Sequence, residues 1–435
     1  MYDLAIIGAG WAGFNAALKA KELGLKVCLI DSDKIGGTCL NYGCIPTKTL
    51  IACAKIFSLA KSASGFGIEL DNLRVNLATI QEKKDKIIHQ LAQGMQSELA
   101  GIDFINSAAQ IISSQEVKVD GRIINTKFIL IATGSHSIQL PELQFGQKNI
   151  ISSDQALSLS VLPQSLLIIG GGVIGCEFAS LFSILGSAVT IIEKMPRLLP
   201  TEDRDVARKI EVIFKKKGIK VVTGADKSSF DLESYSKILV CVGRLGHTEA
   251  LGLQDLGVEL KNNRIVVDDY LKSSRDNIYA AGDCTGKVML AHFAAYQGVM
   301  AVQNMVCRHR EKADNPVVPS CIFTEPQIAS VGLNEDNALA AGLKIKIHKF
   351  DFRASAMARI TDEFDGFVKM ISNQENGQII GASIIGPLAT ELISTLVVAI
   401  SARLTIKQLR GMIFAHPTFS ESLHETVKNS RRDDD

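Results

Sequence analysis

The sequence has almost no net charge. Its 47 Lys and Arg face 46 Asp and Glu, for a formal charge of +1, so nothing in the balance argues for nucleic acid or an anionic membrane as partner. A basic leader is missing too: Tyr2 and Asp3 run straight into the apolar stretch Leu4 to Ile7, and no targeting segment is expected. No apolar run of membrane length is free of charge. The longest near the C-terminus, Leu388 to Leu404, carries Glu391 and Arg403 and reads as a buried helix. The expected location is cytoplasmic. Low-complexity linkers are absent, so the units of the chain should pack tightly. The nine cysteines are odd in number and scattered, which excludes a secreted disulfide framework. No close second Cys or His pair accompanies the one cysteine pair that stands out, so no metal site is expected.

What is present is length, apolar content and glycine. A chain of 435 residues exceeds one hydrophobic core and implies two to four domains. Residues 3–31 and 166–193 form a weak internal repeat: an apolar run, a glycine loop, a helical stretch, a Leu-Gly stop, and a second apolar run ending in an acid. Ala16, Ala17, Ala20 and Leu23 carry helical apolar spacing. Ala5 to Ile7 and Leu166 to Ile169 lack alternation, as strands buried on both faces do. The expected fold is α/β, with two Rossmann-like dinucleotide-binding domains and a C-terminal α+β domain. The expected boundaries are 1–145 for the first nucleotide domain, 146–262 for the second, 263–318 for a return to the first, 319–428 for the third unit and 429–435 for a frayed polar tail. Within these, 82–100 reads as a solvated helix, 104–131 as short strands with a turn at Asp120-Gly121, and 253–282 as further strands.

The two loops are Gly8, Gly10, Gly13 and Gly170, Gly172, Gly175. In such a loop the first glycine permits a tight turn, the second lets backbone approach a pyrophosphate, and the third lets the helix pack closely. The helix start then offers free N–H groups to phosphate. Asp31 and Glu193 each stand 18 residues past the third glycine, where a carboxylate can bind ribose hydroxyls. One such loop is a weak signal; two, each between strand and helix and each with its acid, are strong.

Gly36 to Lys48 reads GGTCLNYGCIPTK. Cys39 and Cys44 lie close together, and Pro46 suits the first turn of a helix. A thiol at a helix start has a lowered pKa, which suits thiol–disulfide exchange. Cys28, Cys176 and Cys241 read as small buried hydrophobes instead.

This segment resembles the redox-active site of the class I pyridine nucleotide–disulfide oxidoreductases, and further matches cover nearly the whole chain. ILIATGS (129–135), CVGR (241–244), NIYAAGD (277–283), MLAH (289–292) and FAHPTFSES (414–422) all resemble motifs of that family. The resemblance implies FAD in the first site and NAD(H) in the second. It makes Cys39 the interchange thiol and Cys44 the charge-transfer thiol, with Lys48 beside the flavin and paired with Glu177. Gly37, Thr38, Thr133, Gly134, Asp283, Met289, Leu290, Ala291 and His292 would contact FAD; Gly243 would approach the nicotinamide. His416 would be the acid–base, oriented by Glu421. The C-terminal unit would be a dimerisation domain.

Within the family, Glu193, the MLAH helix start and the lack of any cysteine after Cys321 resemble the dihydrolipoyl dehydrogenase branch. That branch implies oxidation of protein-bound dihydrolipoamide by a homodimer. The partner would be the lipoyl-bearing acyltransferase of a 2-oxo-acid dehydrogenase complex or a glycine-cleavage carrier. An NADH-dependent reductase of another disulfide and a non-catalytic flavoprotein subunit are the alternatives. Three departures stand out: Tyr42 where Val is usual, Trp11 where Pro or a small residue is usual, and a shortened stretch between Glu193 and Gly243.

Overall fold

In the computed structural model of the chain, residues 1–428 are described except 148, 228, 229, 308 and 316; the expected tail 429–435 lies outside the described residues. Two sheets share the arrangement of four parallel strands; the fifth is the last of its unit in the chain in one sheet and the first of its unit in the other. In the first, Asp103–Asn106, Val27–Asp31, Tyr2–Ile7 and Arg122–Ile131 run side by side and parallel, and Ile278–Ala280 returns to pair with Arg122–Ile131. In the second, Lys220–Thr223, Ala188–Glu193, Ser165–Ile169, Lys237–Val240 and Ile150–Ile151 follow the same order, all parallel. Leu4, Ala5 and Ile6 are wholly buried, as are Leu166, Leu167 and Ile168. Both central strands are therefore covered on both faces, which is why their sequences do not alternate.

Small residues set the helix packing. Ala16, Ala17 and Ala20 of helix Trp11–Glu22 are buried. Across from them Gly298 of helix Ala291–Val306 comes so close that a Cβ would stand 2.1 Å from the Ala12 carbonyl oxygen. Leu23, given a core position by its spacing, caps the helix and is exposed. Helix Val173–Leu185 is buried nearly all round, because it packs on its own sheet and on the cysteine-bearing helix Cys44–Ser62. The helical run Gly37–Phe66 is long and apolar enough to cross a membrane by length and composition; here it packs on helices Leu77–Glu98 and Val173–Leu185.

The third unit is an antiparallel sheet in the order Ser320–Ile322, Gln327–Gly332, Ile379–Gly386, Phe367–Asn373, Ile345–Asp351. Helix Ala389–Ser401 lays Leu392, Ile393, Leu396 and Ala399 on it and leaves Val398 exposed. Lys369 joins this unit to the second: its buried ammonium meets Asp203 at 2.9 Å, Glu335 at 2.7 Å and Asp205 at 3.3 Å. Replacing Lys369 would leave the wholly buried Asp203 without its counter-charge, at a cost of several kcal/mol (about 3–5).

Two expectations need adjustment. The solvated helix runs Leu77–Glu98. Residues 253–277 form turns and isolated bridges, not strands. Positive φ at Gly257, Asn262, Asn263, Leu271 and Asn277 breaks every extended run there.

Candidate active site

The glycines act in steps that the backbone makes visible. Gly8 has φ +110°, and a Cβ there would meet the Ala132 carbonyl oxygen at 2.2 Å. A Cβ on Gly13 would meet the Gly8 carbonyl oxygen at 1.8 Å. The second unit repeats this: Gly170 (φ +111°) faces Cys241 O at 2.3 Å and Gly175 faces Gly170 O at 1.9 Å. The middle glycines differ in kind. Nothing lies within 4 Å of a Cβ on Gly172, and Gly134 is equally open. The helices that start after Gly10, Gly172 and Leu290 have no side-chain cap. Open space beside uncapped N–H groups fits two dinucleotides.

Each acid holds its own loop. Asp31 accepts the Ala9 N–H at 2.6 Å and the Asp33 N–H at 2.8 Å. Glu193, buried, accepts the Gly171 N–H at 2.6 Å and the Met195 N–H at 2.6 Å. The carboxylates therefore fix the turn that presents the backbone.

Cys39 sits in helix Gly37–Asn41, and Cys44 opens helix Cys44–Ser62. Gly37 presses this segment, with Thr38, against the first loop; a Cβ there would stand 2.8 Å from the Gly10 Cα. Both cysteines are thiols in the structure. The Cys39 thiol donates to Cys44, and with the Lys48 charge this lowers the Cys44 pKa to about 7 against the opposing effect of burial. Cys39 moves the other way, held up by the same hydrogen bond and by burial. The pair therefore carries its negative charge on Cys44. Lys48 lies one helical turn beyond Cys44. Its ammonium meets both oxygens of the buried Glu177 at 2.9 Å, and Glu177 also accepts the Phe323 N–H at 2.8 Å. This buried carboxylate fixes Lys48 and links three parts of the chain.

The remaining candidates are placed by contacts of their own. Asp283 accepts from the Ser135 hydroxyl at 2.6 Å, and Arg244 donates to that hydroxyl at 2.8 Å. Thr133 donates to the His247 carbonyl at 2.6 Å. Met289 and Leu290 lead into helix Ala291–Val306, which begins with Ala291 and His292; a ring nitrogen of His292 lies 2.9 Å from the Pro319 carbonyl. Gly243 has φ +130°, which a side chain rarely adopts. His416 is apart from this group. It is exposed, precedes a cis peptide bond to Pro417, and its Nδ1 lies 2.8 Å from Glu421. Glu421 also accepts the Thr418 N–H at 2.9 Å. That bond, and next His416, lower its pKa.

Residues 2–298 match the profile of the pyridine nucleotide-disulphide oxidoreductases, and residues 318–427 match that family's dimerisation domain. The dihydrolipoyl dehydrogenase of Chlamydia muridarum is 38% identical over 98% of this chain and 96% of its own length. One from Bacillus subtilis is 36% identical over 98% and 97%. Among solved structures, LpdA from Mycobacterium tuberculosis has a TM-score of 0.90 at 27% identity, covering 98% of this chain and 99% of its own. The HOCl-induced flavoprotein disulfide reductase RclA from Escherichia coli has a TM-score of 0.89 at 29% identity, with the same coverage. The chain belongs to the pyridine nucleotide-disulphide oxidoreductases. It is an enzyme of that family, works with FAD and NAD(H), and carries its dimerisation domain at the C-terminal end.

Trp11 and Tyr42 stand out in the sequence as departures and Arg244 as the end of CVGR, but the contacts that these three residues make are not foreseen there. Trp11 starts the first glycine helix, and its indole N–H favours the Cys39 thiolate without making a hydrogen bond of proper geometry. Tyr42 donates to Asp33 at 3.3 Å and lines a cavity of about 830 Å³ between the cysteine segment and helix Leu77–Glu98. Arg244 braces Ser135 and Ser137 across the ribbon that joins the two nucleotide units. The residues stand in motifs, but their contacts depend on segments that only the fold brings together.

Proposed function

We propose that the protein is a dihydrolipoyl dehydrogenase, oxidising a protein-bound dihydrolipoyl group with NAD⁺. The observation that carries this is a cysteine pair beside the Lys48–Glu177 ion pair in a chain 38% and 36% identical, over nearly its whole length, to two dihydrolipoyl dehydrogenases. His416 removes a proton from the substrate dithiol, with Glu421 fixing its ring. The substrate thiolate attacks Cys39 of the oxidised pair, breaking the Cys39–Cys44 bond and releasing Cys44 as thiolate. The second substrate sulfur then displaces Cys39 and closes the lipoyl disulfide. A bound FAD would supply the two-electron carrier between the thiol pair and NAD⁺. The balance is dithiol plus NAD⁺ to disulfide, NADH and one proton. Gly8, Gly10, Gly13, Asp31 and Asp283 hold the flavin nucleotide, and Gly170, Gly172, Gly175, Glu193 and Gly243 hold NAD.

His416 has Glu421 as its hydrogen-bond partner and is exposed, which supports its delivery to the cysteine pair of a second subunit. The partner that presents the lipoyl group is the acyltransferase of a 2-oxo-acid dehydrogenase complex or a glycine-cleavage carrier. The cysteines outside the redox pair are not bridged to one another, which suits a cytoplasm. The deciding assay is NAD⁺ reduction by dihydrolipoamide with the purified flavoprotein. Turnover supports the reading. Failure with dihydrolipoamide, alongside rapid NADH-dependent reduction of another disulfide, would favour the reductase reading suggested by the likeness to RclA. Mixing Cys39→Ser with His416→Ala subunits tests the cross-subunit base: recovered activity supports it, and none despite proven exchange overturns it.

A further inference from the structure

The chain passes from the first nucleotide unit to the second through Ser135–Ser137 and returns through Arg244–Gly246. These segments pair antiparallel, with His136 opposite Leu245 and Ser135 opposite Gly246. The His247 N–H extends the ribbon by donating to the Gly134 carbonyl at 3.0 Å. In this register His136 and His247 are diagonal neighbours on one face, their ring centroids 4.5 Å apart and tilted by 51°. Ser135, Ser137 and Arg244 occupy the other face, bonded to one another. Two residues beyond His247, Glu249 reaches the histidine face. One donor atom from each of His136, His247 and Glu249 lies within 4.8 Å of the other two.

Packing alone does not explain this cluster. His136 Nδ1 is buried and meets no hydrogen-bond partner, which is costly for a polar atom. Glu249 is held in place by Asn263 at 2.9 Å and by the Thr248 N–H at 3.2 Å. His247 and Glu249 are exposed, so an ion can enter from solvent. Donors on tetrahedral zinc stand roughly 3.4 Å apart, given Zn–N bonds of about 2.0–2.1 Å. A small inward shift of the three side chains reaches that spacing. Two imidazoles and one carboxylate select a transition metal over magnesium or calcium.

We propose that His136, His247 and Glu249 bind a divalent transition-metal ion of the Zn²⁺ class, which clamps the ribbon joining the two nucleotide units. The ion ties the outgoing strand to the returning one and thereby limits movement of one unit against the other. Neither the cysteine pair nor His416 takes part.

The test is zinc titration calorimetry on flavin-loaded Cys39→Ser/Cys44→Ser protein, in which the redox thiols cannot compete. The expected result is one zinc per chain, not displaced by excess magnesium, with a rise in the thermal midpoint. In that background His247→Ala should weaken zinc by about 100-fold or more, beyond the 10- to 100-fold that supporting residues give. Glu249→Gln, on the surface, should weaken it by a smaller factor and reduce the midpoint rise. Flavin absorbance checks that each variant is folded. No zinc bound by the parent, or unchanged affinity and stoichiometry in both variants, would overturn the site. If His247→Ala does not hold flavin, Glu249→Gln alone decides.

Discussion

The two nucleotide units are copies that differ in what they carry. Both press the first glycine onto the return strand, with a Cβ clash at 2.2 Å in one and 2.3 Å in the other. Both press the third onto the first, at 1.8 and 1.9 Å, and both tie the loop to an acid at 2.6 Å. Shared physics ends there. The flavin unit packs Gly37 of the cysteine segment against its loop and continues into an antiparallel ribbon, Ala109–Ser113 with Glu116–Val119. The unit proposed for NAD leaves its middle glycine open, and the described residues between Thr223 and Lys237 include a 3₁₀ turn at Leu232–Ser234. One copy is tied into the chemistry through the chain itself; the other remains a bare nucleotide cradle.

The largest effect should come from breaking each copy at the same place. Gly13→Ala should yield protein without flavin and without activity, since the new Cβ has backbone, not a yielding side chain, in its way. Gly175→Ala creates the same clash in the other copy and should leave the flavin bound but no longer reducible by NADH. Flavin absorbance and rapid-mixing reduction separate the two. If Gly175→Ala also loses flavin, the units are not independent.

Next in size is the cysteine pair, which only the flavin unit has. Cys44→Ser should abolish the long-wavelength absorbance of the two-electron-reduced enzyme, whereas Cys39→Ser should show it without reductant. In wild type the band should grow as pH rises through about 7, since the lowered Cys44 pKa makes the thiolate the form above that pH. The reverse mutant pattern would exchange the roles of the two sulfurs.

These contrasts bear on how far a sequence can be read. The duplicated strand–loop–helix order was legible because glycine and buried aliphatics leave few alternatives. The Lys48–Glu177 pair was legible only through family resemblance, since 129 positions separate the partners. Residues 253–277 misled, because their apolar residues suit strands while scattered positive-φ positions forbid them. The histidine cluster on the joining ribbon was invisible: its spacing follows no metal motif, and only strand register brings it together.

A smaller effect concerns the acids. Glu193 ends the NAD unit's second strand, and a 2′-phosphate there would face a carboxylate. Repulsion on the order of 4 kcal/mol at intermediate dielectric corresponds to about a thousandfold preference for NADH over NADPH in kcat/KM. Comparable efficiencies would show that Glu193 only braces its loop through Gly171 and Met195.

The chain has one tryptophan, and only one of the two copies carries it. Trp11 follows Gly10 at the start of the flavin unit's helix; the matching residue of the NAD unit is Val173. Its indole nitrogen is buried with no hydrogen-bond partner, and it lies close enough to Cys39 to favour that thiolate. The indole is thus fixed between the pyrophosphate loop and the redox pair. Tryptophan fluorescence should be quenched in the holoenzyme, rise when flavin is stripped, and fall again when FAD is restored. Saturation with NAD⁺ should change it far less, because the second cradle has no indole. An unchanged signal on flavin removal would place Trp11 away from the flavin, and an equal response to both nucleotides would mean that the two cradles are coupled through the ribbon that joins them.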